Sequence, residues 1–356
     1  MGKGKSSFIL DNFPMFNMSC SGTKGSNAVL QSTLVDDFHR PIDYVRIAVT
    51  SSCNLRCSYC MREEHQERAA VESIPTTQEI NTIIDLLAGL GVTKIRFTGG
   101  EPLLRRDIVE LVRQAKLQTG IKTVSLTTNG VLLDRFLPAL IDAGLDALNF
   151  SLDSLDRKRY CAITRRDEFK RVRENLDMLL KTDAISVKLN VVLMRDVNSD
   201  ELQRFVDFTK DHNVTVRFIE LQPFDDNQIW KTGRFFSADK TRALLNSYYP
   251  DLNPIKGHAT EYFSYTQPNH KGSVAIIPAF TRNFCTGCNK IRITSNGKII
   301  SCLYEKDGMD LLPVLRGNAP QAALIDLIRQ AVSRKPRDGK HTLSNSVRTS
   351  MSEIGG

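Results

Sequence analysis

Residues 44–60 read YVRIAVTSSCNLRCSYC: an apolar run broken only by Arg46, then a polar loop holding Cys53, Cys57 and Cys60. The β-branched run reads as a strand and the Ser- and Asn-rich stretch after it as a loop. The C-x3-C-x2-C spacing puts three thiols within eight residues. A structural zinc site wants four ligands in a closed tetrahedron, and only His65 stands near enough in sequence to be the fourth. Three thiolates without a fourth suit a cubane iron–sulfur cluster with one iron left open. Three unligated cysteines on a polar loop would be an oxidation liability.

Outward from this stretch the same strand-then-loop unit recurs. Strand candidates are TKIRFT (93–98), KTVSLTT (122–128), DALNFSL (146–152), SVKLNVVL (186–193) and TVRFIEL (215–221). Between the first two strands, Ile80, Ile83, Ile84 and Leu87 recur at helical spacing behind a capping box of Thr76 and Glu79. Asp107 and Glu110 open a second helix, and Leu137, Leu140 and Ile141 mark a third that stops at Gly144. Six strands alternating with helices predict an α/β fold with a parallel sheet, either open and doubly wound or an incomplete barrel. Both place functional groups at the carboxyl ends of the strands. The polar stretches TGGEP, TTNG and SLDS follow the apolar runs, where such a mouth belongs.

The alternation fades after residue 235. The expected organisation is a flexible extension over 1–39, a strand–helix domain over 40–235 and a smaller domain over 236–356. The extension has no Arg and only Asp11, Asp36 and Asp37 as acids, which weakens a transit-peptide reading. No apolar run approaches the roughly 18–20 residues of a membrane span, so no membrane partner is expected. The net charge of +8 suits an anionic partner, but Lys and Arg are scattered, without the runs of nucleic-acid arms. No nucleic-acid partner is expected either. Eight cysteines, six of them in two triplets, point to metal sites in a reducing, cytoplasmic setting rather than to disulfides.

The second triplet, Cys285, Cys288 and Cys302, has the form C-x2-C-x13-C. A zinc site here would have to borrow Cys161 or Cys20; a second cluster with one open iron needs nothing more.

The chain resembles the GTP 3′,8-cyclase family of the radical S-adenosylmethionine (SAM) superfamily. The resemblance runs from about Arg40 to the last residue and rests on the first triplet with Tyr59, on TGGEP, on FCTGCNKIRITSNGKIISCL (284–303) and on the terminal MSEIGG. It implies an incomplete (β/α)6 barrel with a C-terminal domain carrying an auxiliary cluster. It implies two [4Fe-4S] clusters and SAM as cofactors and GTP as substrate. The first cluster, on Cys53, Cys57 and Cys60, cleaves SAM, and the resulting radical takes the 3′ hydrogen of GTP before C8 of guanine is attacked. Tyr59, Gly100, Ser151 and Gln222 would contact SAM. Cys285, Cys288 and Cys302 would hold the second cluster, which binds the guanine base. Arg46, Lys94, Arg96, Thr127, Lys188, Arg217, Lys290, Ile291 and Arg292 would line the GTP site. Arg348, Gly355 and Gly356 would serve catalysis from a tail that enters the site. Further implied partners are an electron donor, a downstream cyclic pyranopterin monophosphate synthase that takes the product, and a second copy in a homodimer. Three positions depart from the family pattern: Ser51-Ser52 for Asp-Arg, Gln222 for Met, and Lys290 for Arg. Lysine at 290 keeps the charge and loses the bidentate fork.

The residues support the phosphate site independently. Arg46, Arg96, Lys188 and Arg217 lie inside predicted parallel strands, where a charge is expensive unless paired or turned to a polar lumen. A triphosphate justifies four of them; the alternative is pairing with Glu220 or Asp153. Two rival functions remain. Another radical SAM enzyme with an auxiliary cluster, such as a peptide-modifying one, typically carries more C-terminal cysteines. A zinc-stabilised RNA-binding protein would lack iron and sulfide. If the triplets do separate jobs, Cys57→Ser abolishes SAM cleavage. Cys288→Ser keeps the first cluster and some uncoupled cleavage but loses the cyclised product, and full GTP turnover in Cys288→Ser would refute the assignment.

Overall fold

The computed structural model describes residues 33–61, 74–223, 232–257, 263–281, 285–317, 319–339 and 351–355. Of the extension expected over 1–39, residues 33–39 pack onto the rest: Leu34 is buried, and Asp36 forms a buried ion pair with Arg40. His65, Arg348 and Gly356 lie outside the described residues.

All six expected strands form, within one residue of the expected bounds. They are β1 (Tyr44–Ala48), β2 (Lys94–Thr98), β3 (Thr123–Thr128), β4 (Ala147–Ser151), β5 (Ser186–Leu193) and β6 (Thr215–Glu220). Helices α1 (Thr77–Gly89), α2 (Ile108–Leu117), α3 (Leu133–Asp142), α4 (Arg157–Thr164), α5 (Phe169–Leu179) and α6 (Leu202–Asp211) connect them. The capping box of α1 is present, with Glu79 N–H donating to Thr76 Oγ1 and Thr76 N–H to Glu79 Oε2. Asp107 precedes α2 without capping it; its carboxylate instead takes Arg105 and Thr77.

The segment after β6 holds α7 (Ala238–Tyr248), β7 (Asn253–Ile255), β8 (Phe263–Thr266) and β9 (Ser273–Ile277). Then come β10 (Lys290–Ile293), β11 (Lys298–Ile300), β12 (Met309–Asp310), α8 (Leu312–Arg316) and α9 (Gln321–Ser333). These strands extend the first sheet at both ends, in the order β12-β11-β10-β1-β2-β3-β4-β5-β6-β9-β8-β7. β10 runs parallel to β1 and β9 parallel to β6, so two further strands join the six parallel ones. The outer pairs are antiparallel. The C-terminal region therefore flanks the six-stranded core on both edges.

Each central strand separates two environments. Val45, Ile47, Ile95, Phe97, Val124, Leu126, Leu148 and Phe150 point to the helices and are fully buried in one apolar core. Their sequence neighbours Arg46, Arg96, Thr127 and Asn149 face an inner cavity, as does Arg217 between the buried Val216 and Phe218 of β6. Alternation of this kind is unusual for parallel strands, which are normally apolar on both faces.

One carboxylate fastens the C-terminal segment to this frame. Glu220, at the end of β6, is buried and accepts from the N–H groups of Ala238, Phe280 and Thr281 and from the Thr281 hydroxyl. Glu220→Gln turns an amide N–H2 toward these donors and leaves some of them unpaired. Urea unfolding is expected to read a loss of about 3 kcal/mol, at the rate of roughly 1–3 kcal/mol per unsatisfied buried group.

Candidate active site

The Cys53–Cys60 loop is set by its neighbours. Ser58 N–H donates to Ile163 O and Arg56 N–H to Thr164 O, which ties the loop to the end of α4. Cys60 N–H and Met61 N–H both donate to Cys57 O, closing the turn that carries the second and third thiols. On the other side the loop interlocks with TGGEP. Gly100 N–H donates to Thr50 O and Glu101 N–H to Ser52 O, both at 2.8 Å. A Cβ on Gly100 would sit 2.3 Å from Ser52 O, so glycine is required by the loop's own backbone.

Two buried carboxylates anchor this corner. Glu101 accepts from Leu103 N–H, Asn129 N–H and the Thr128 hydroxyl; burial pushes it up to about 7 against these donors. Asp153 accepts from Tyr59 Oη–H at 2.7 Å and Val192 N–H at 2.8 Å, and burial pushes it up to about 6. Tyr59 is thereby fixed beside the thiols. Burial, with Glu101 adding to it, pushes the Cys53 thiol up to about 11, and burial raises Cys57 well above its usual range. Such thiols become thiolates when a cationic metal centre replaces the proton, as a cluster would do. His65, the candidate fourth ligand of a zinc site, is not among the described residues.

The second triplet is built by β10, β11 and the segment after α9. A short turn, Cys285–Gly287, precedes Cys288, and Cys302 follows β11. Arg40 reaches from the N-terminal segment to donate to Cys285 O and to Pro336 O. Lys335 is buried, and its ammonium donates to Lys290 O at 2.8 Å and Ser301 O at 2.5 Å, next to both halves of the triplet. Burial would raise the Cys288 thiol, but Lys335 and Lys290 more than offset this and lower it. The donor set therefore also suits an anionic cluster.

Both triplets open onto one cavity of about 410 Å³, inside the range of roughly 300–1,000 Å³ typical of ligand sites. Of the residues the resemblance singled out, its wall holds all six cysteines, Tyr59, Gly100, Ser151 and Gln222. It also holds Arg46, Arg96, Thr127, Arg217, Lys290 and Arg292. Lys94 and Lys188 are half-buried on β2 and β5 but are not part of this wall, and the Ile291 side chain packs into the core on the opposite face of β10.

The cations are held by polar neighbours. Arg96 Nε donates to Ser125 Oγ at 3.2 Å, and Arg217 Nε donates to Asn190 Oδ1 at 2.8 Å. Glu220 and Asp153, the candidate internal partners, accept from backbone and hydroxyl donors. Among the described residues, Arg46 Nε, Asn149 Oδ1 and Gln222 Oε1 are buried without a hydrogen-bond partner. Three such groups on one wall are available to hydrogen-bond a polar ligand.

The described C-terminal segment reaches the cavity, with Met351 on its wall. Arg292 donates to Ile354 O at 3.1 Å and to Gly355 O at 2.6 Å, and Ile354 is fully buried. Gly355 has φ +69°, and a Cβ there would lie 2.1 Å from Thr98 Cγ2. Sequence reasoning missed Asp153, Asn190 and Lys335 as site builders. Asp153 and Asn190 have a signal, each following or interrupting an apolar strand, while Lys335 has none.

Comparison with known proteins agrees with this geometry. Residues 47–209 match the model of the radical SAM superfamily and 214–341 the model described as Molybdenum Cofactor Synthesis C. Among solved structures, Streptococcus suis SuiB bound to S-adenosylmethionine shares the fold, with a TM-score of 0.56 at 18% identity over 81% of this chain and 68% of that one. The chain is a radical SAM protein, a family that carries a [4Fe-4S] cluster and binds SAM.

A GTP 3′,8-cyclase of Chlorobaculum tepidum is 53% identical over 326 residues, 92% of this chain and 98% of that protein. One of Desulforamulus reducens is 38% identical over 91% of this chain and 100% of that protein. The chain belongs to the GTP 3′,8-cyclase family.

The tail geometry sets a test. Gly355→Ala adds a methyl group where Thr98 already stands and forces a strained φ, so the tail should leave the cavity. Product formation at matched cluster content should fall at least about tenfold, equivalent to about 1.4 kcal/mol in the barrier, with iron and sulfide content retained. Unchanged turnover would make the tail a frayed end.

Proposed function

We infer that the chain converts GTP to 3′,8-cyclo-7,8-dihydro-GTP, the first step of molybdenum cofactor biosynthesis. The observation that carries this reading is the convergence of two cysteine triplets and a group of cations on one cavity. Cys53, Cys57 and Cys60 hold the first cluster, and Tyr59, Gly100, Ser151 and Gln222 contact SAM. When bound, that pair supplies a 5′-deoxyadenosyl radical. Cys285, Cys288 and Cys302 hold a second [4Fe-4S] cluster that receives the guanine base.

The chain's own residues do the positioning. Arg46, Arg96, Arg217 and Arg292 offer planar forks to the triphosphate, and Lys290 adds a point charge. Thr127 completes the wall of the substrate site; Lys94 and Lys188 add charge from behind it, and Ile291 supports it from the core. Gln222 Oε1, which has no partner among the described residues, accepts from the amino end of SAM. Ile354 and Gly355, held by Arg292, exclude water from the reacting ribose, and Arg348 and Gly356 are assigned to catalysis with them. An electron donor reduces the protein, and a cyclic pyranopterin monophosphate synthase takes the product. We assign the protein to the cytoplasm as a homodimer.

The direct test is anaerobic incubation of reconstituted protein with SAM, reductant and GTP. The expected products are 5′-deoxyadenosine and a cyclised nucleotide; SAM cleavage with GTP unchanged would contradict the reading. In binding assays, Arg96→Ala should weaken GTP by about 1.5–3 kcal/mol for the lost charge-assisted contact. Guanosine should bind the parent protein poorly.

A further inference from the structure

Tyr44 begins β1 and is buried, 5% exposed. The sheet register places it between Lys290 of β10 and Lys94 of β2. Two residues on, Arg46 lies between Arg292 and Arg96 in the same way. Three adjacent strands thus present five cations and one phenol in two successive rungs.

Four of these cations surround the ring. Its centroid lies 5.2 Å from Lys94 Nζ, 5.6 Å from Lys290 Nζ, 5.6 Å from Arg96 Cζ and 5.8 Å from Arg46 Cζ. All fall within the roughly 6 Å reach of a cation–π contact. The need for such contacts follows from Coulomb's law. Strands lie about 4.8 Å apart, so cations on neighbouring strands at the same rung repel one another. Unsupported, flexible Lys and Arg side chains would swing apart, and the site would lose its shape.

Tyr44 is not on the wall of the cavity, whereas Arg46, Arg96 and Lys290 are. The ring therefore stands behind the cations, where it can order them without touching a ligand. The phenol's own chemistry agrees. Burial would raise it, but Arg96, Arg46 and Lys94 bring it down to about 7, so it sits deep in the field of the cluster.

We propose that Tyr44 is a positioning residue of the triphosphate subsite, its ring holding Arg46, Lys94, Arg96 and Lys290 as one preformed receptor. The proposal rests on the GTP reading and adds a residue that the motifs do not single out. It concerns triphosphate capture and leaves SAM chemistry untouched.

The test uses the full reconstituted chain, with GTP, guanosine and inorganic triphosphate as probes. Tyr44→Leu, which removes the ring, should weaken GTP and inorganic triphosphate at least tenfold and raise KM for GTP by a similar factor. Guanosine affinity, SAM affinity and uncoupled SAM cleavage should stay within about twofold. Tyr44→Phe, which keeps the ring face, should restore GTP affinity to within about threefold of the parent. If Tyr44→Leu fails to hold its clusters, Tyr44→Met carries the same expectation. GTP affinity in the Leu or Met variant equal to the parent's would overturn the proposal, and so would an equal loss in the Phe and Leu variants. A parent protein that binds guanosine as well as GTP would overturn the GTP reading itself, a result separate from either.

Discussion

The structure depends on one constraint: parallel strands that are apolar toward the helices and cationic toward the cavity. Arg96, Arg217 and Arg292 are each less than a tenth exposed, and Arg46 and Lys290 stand beside them. Removing an ion from water costs several kcal/mol even after relaxation, so a wall of five such groups is stable only with compensation. Part of it comes from Ser125, Asn190 and the tail carbonyls of Ile354 and Gly355. The rest suits an anionic ligand, which the proposed triphosphate would supply.

That constraint explains how the C-terminal strands are used. β10 contributes Lys290 and Arg292 to the wall beside β1, and the loops flanking it and β11 carry Cys285, Cys288 and Cys302. Lys335 then bridges Lys290 O and Ser301 O, so the second triplet and the cation wall are parts of one rigid corner. The first triplet is tied instead to α4 and to TGGEP. The two triplets thus have separate anchorages and share a cavity.

Much of this was legible in the sequence because its signals are local. Period-two strands, the Thr76–Glu79 box and the cysteine spacing each declare themselves within a dozen residues. Arg46, Arg96 and Arg217 stood out because a charge inside an apolar run violates the pattern of a parallel strand. What was hidden depends on distant pairing. Nothing in SVAII (273–277) or KIRI (290–293) says that these strands join opposite edges of the same sheet. Ile291 sits between two cavity-facing residues, and strand alternation turns its side chain to the core. Lys335, in SRKPRDG, has the local look of a solvated surface lysine. The close contact of Gly99 and Gly100 with the backbone of Thr50–Ser52 is likewise invisible in the sequence.

The central claim is that this cavity brings the ribose of GTP against the SAM-derived radical. The measurement that tests it most directly is anaerobic turnover with GTP deuterated at the 3′ carbon, followed by mass analysis of the 5′-deoxyadenosine. The account predicts one deuterium transferred per cyclised nucleotide formed. Unlabelled 5′-deoxyadenosine accompanying the cyclised product would contradict it.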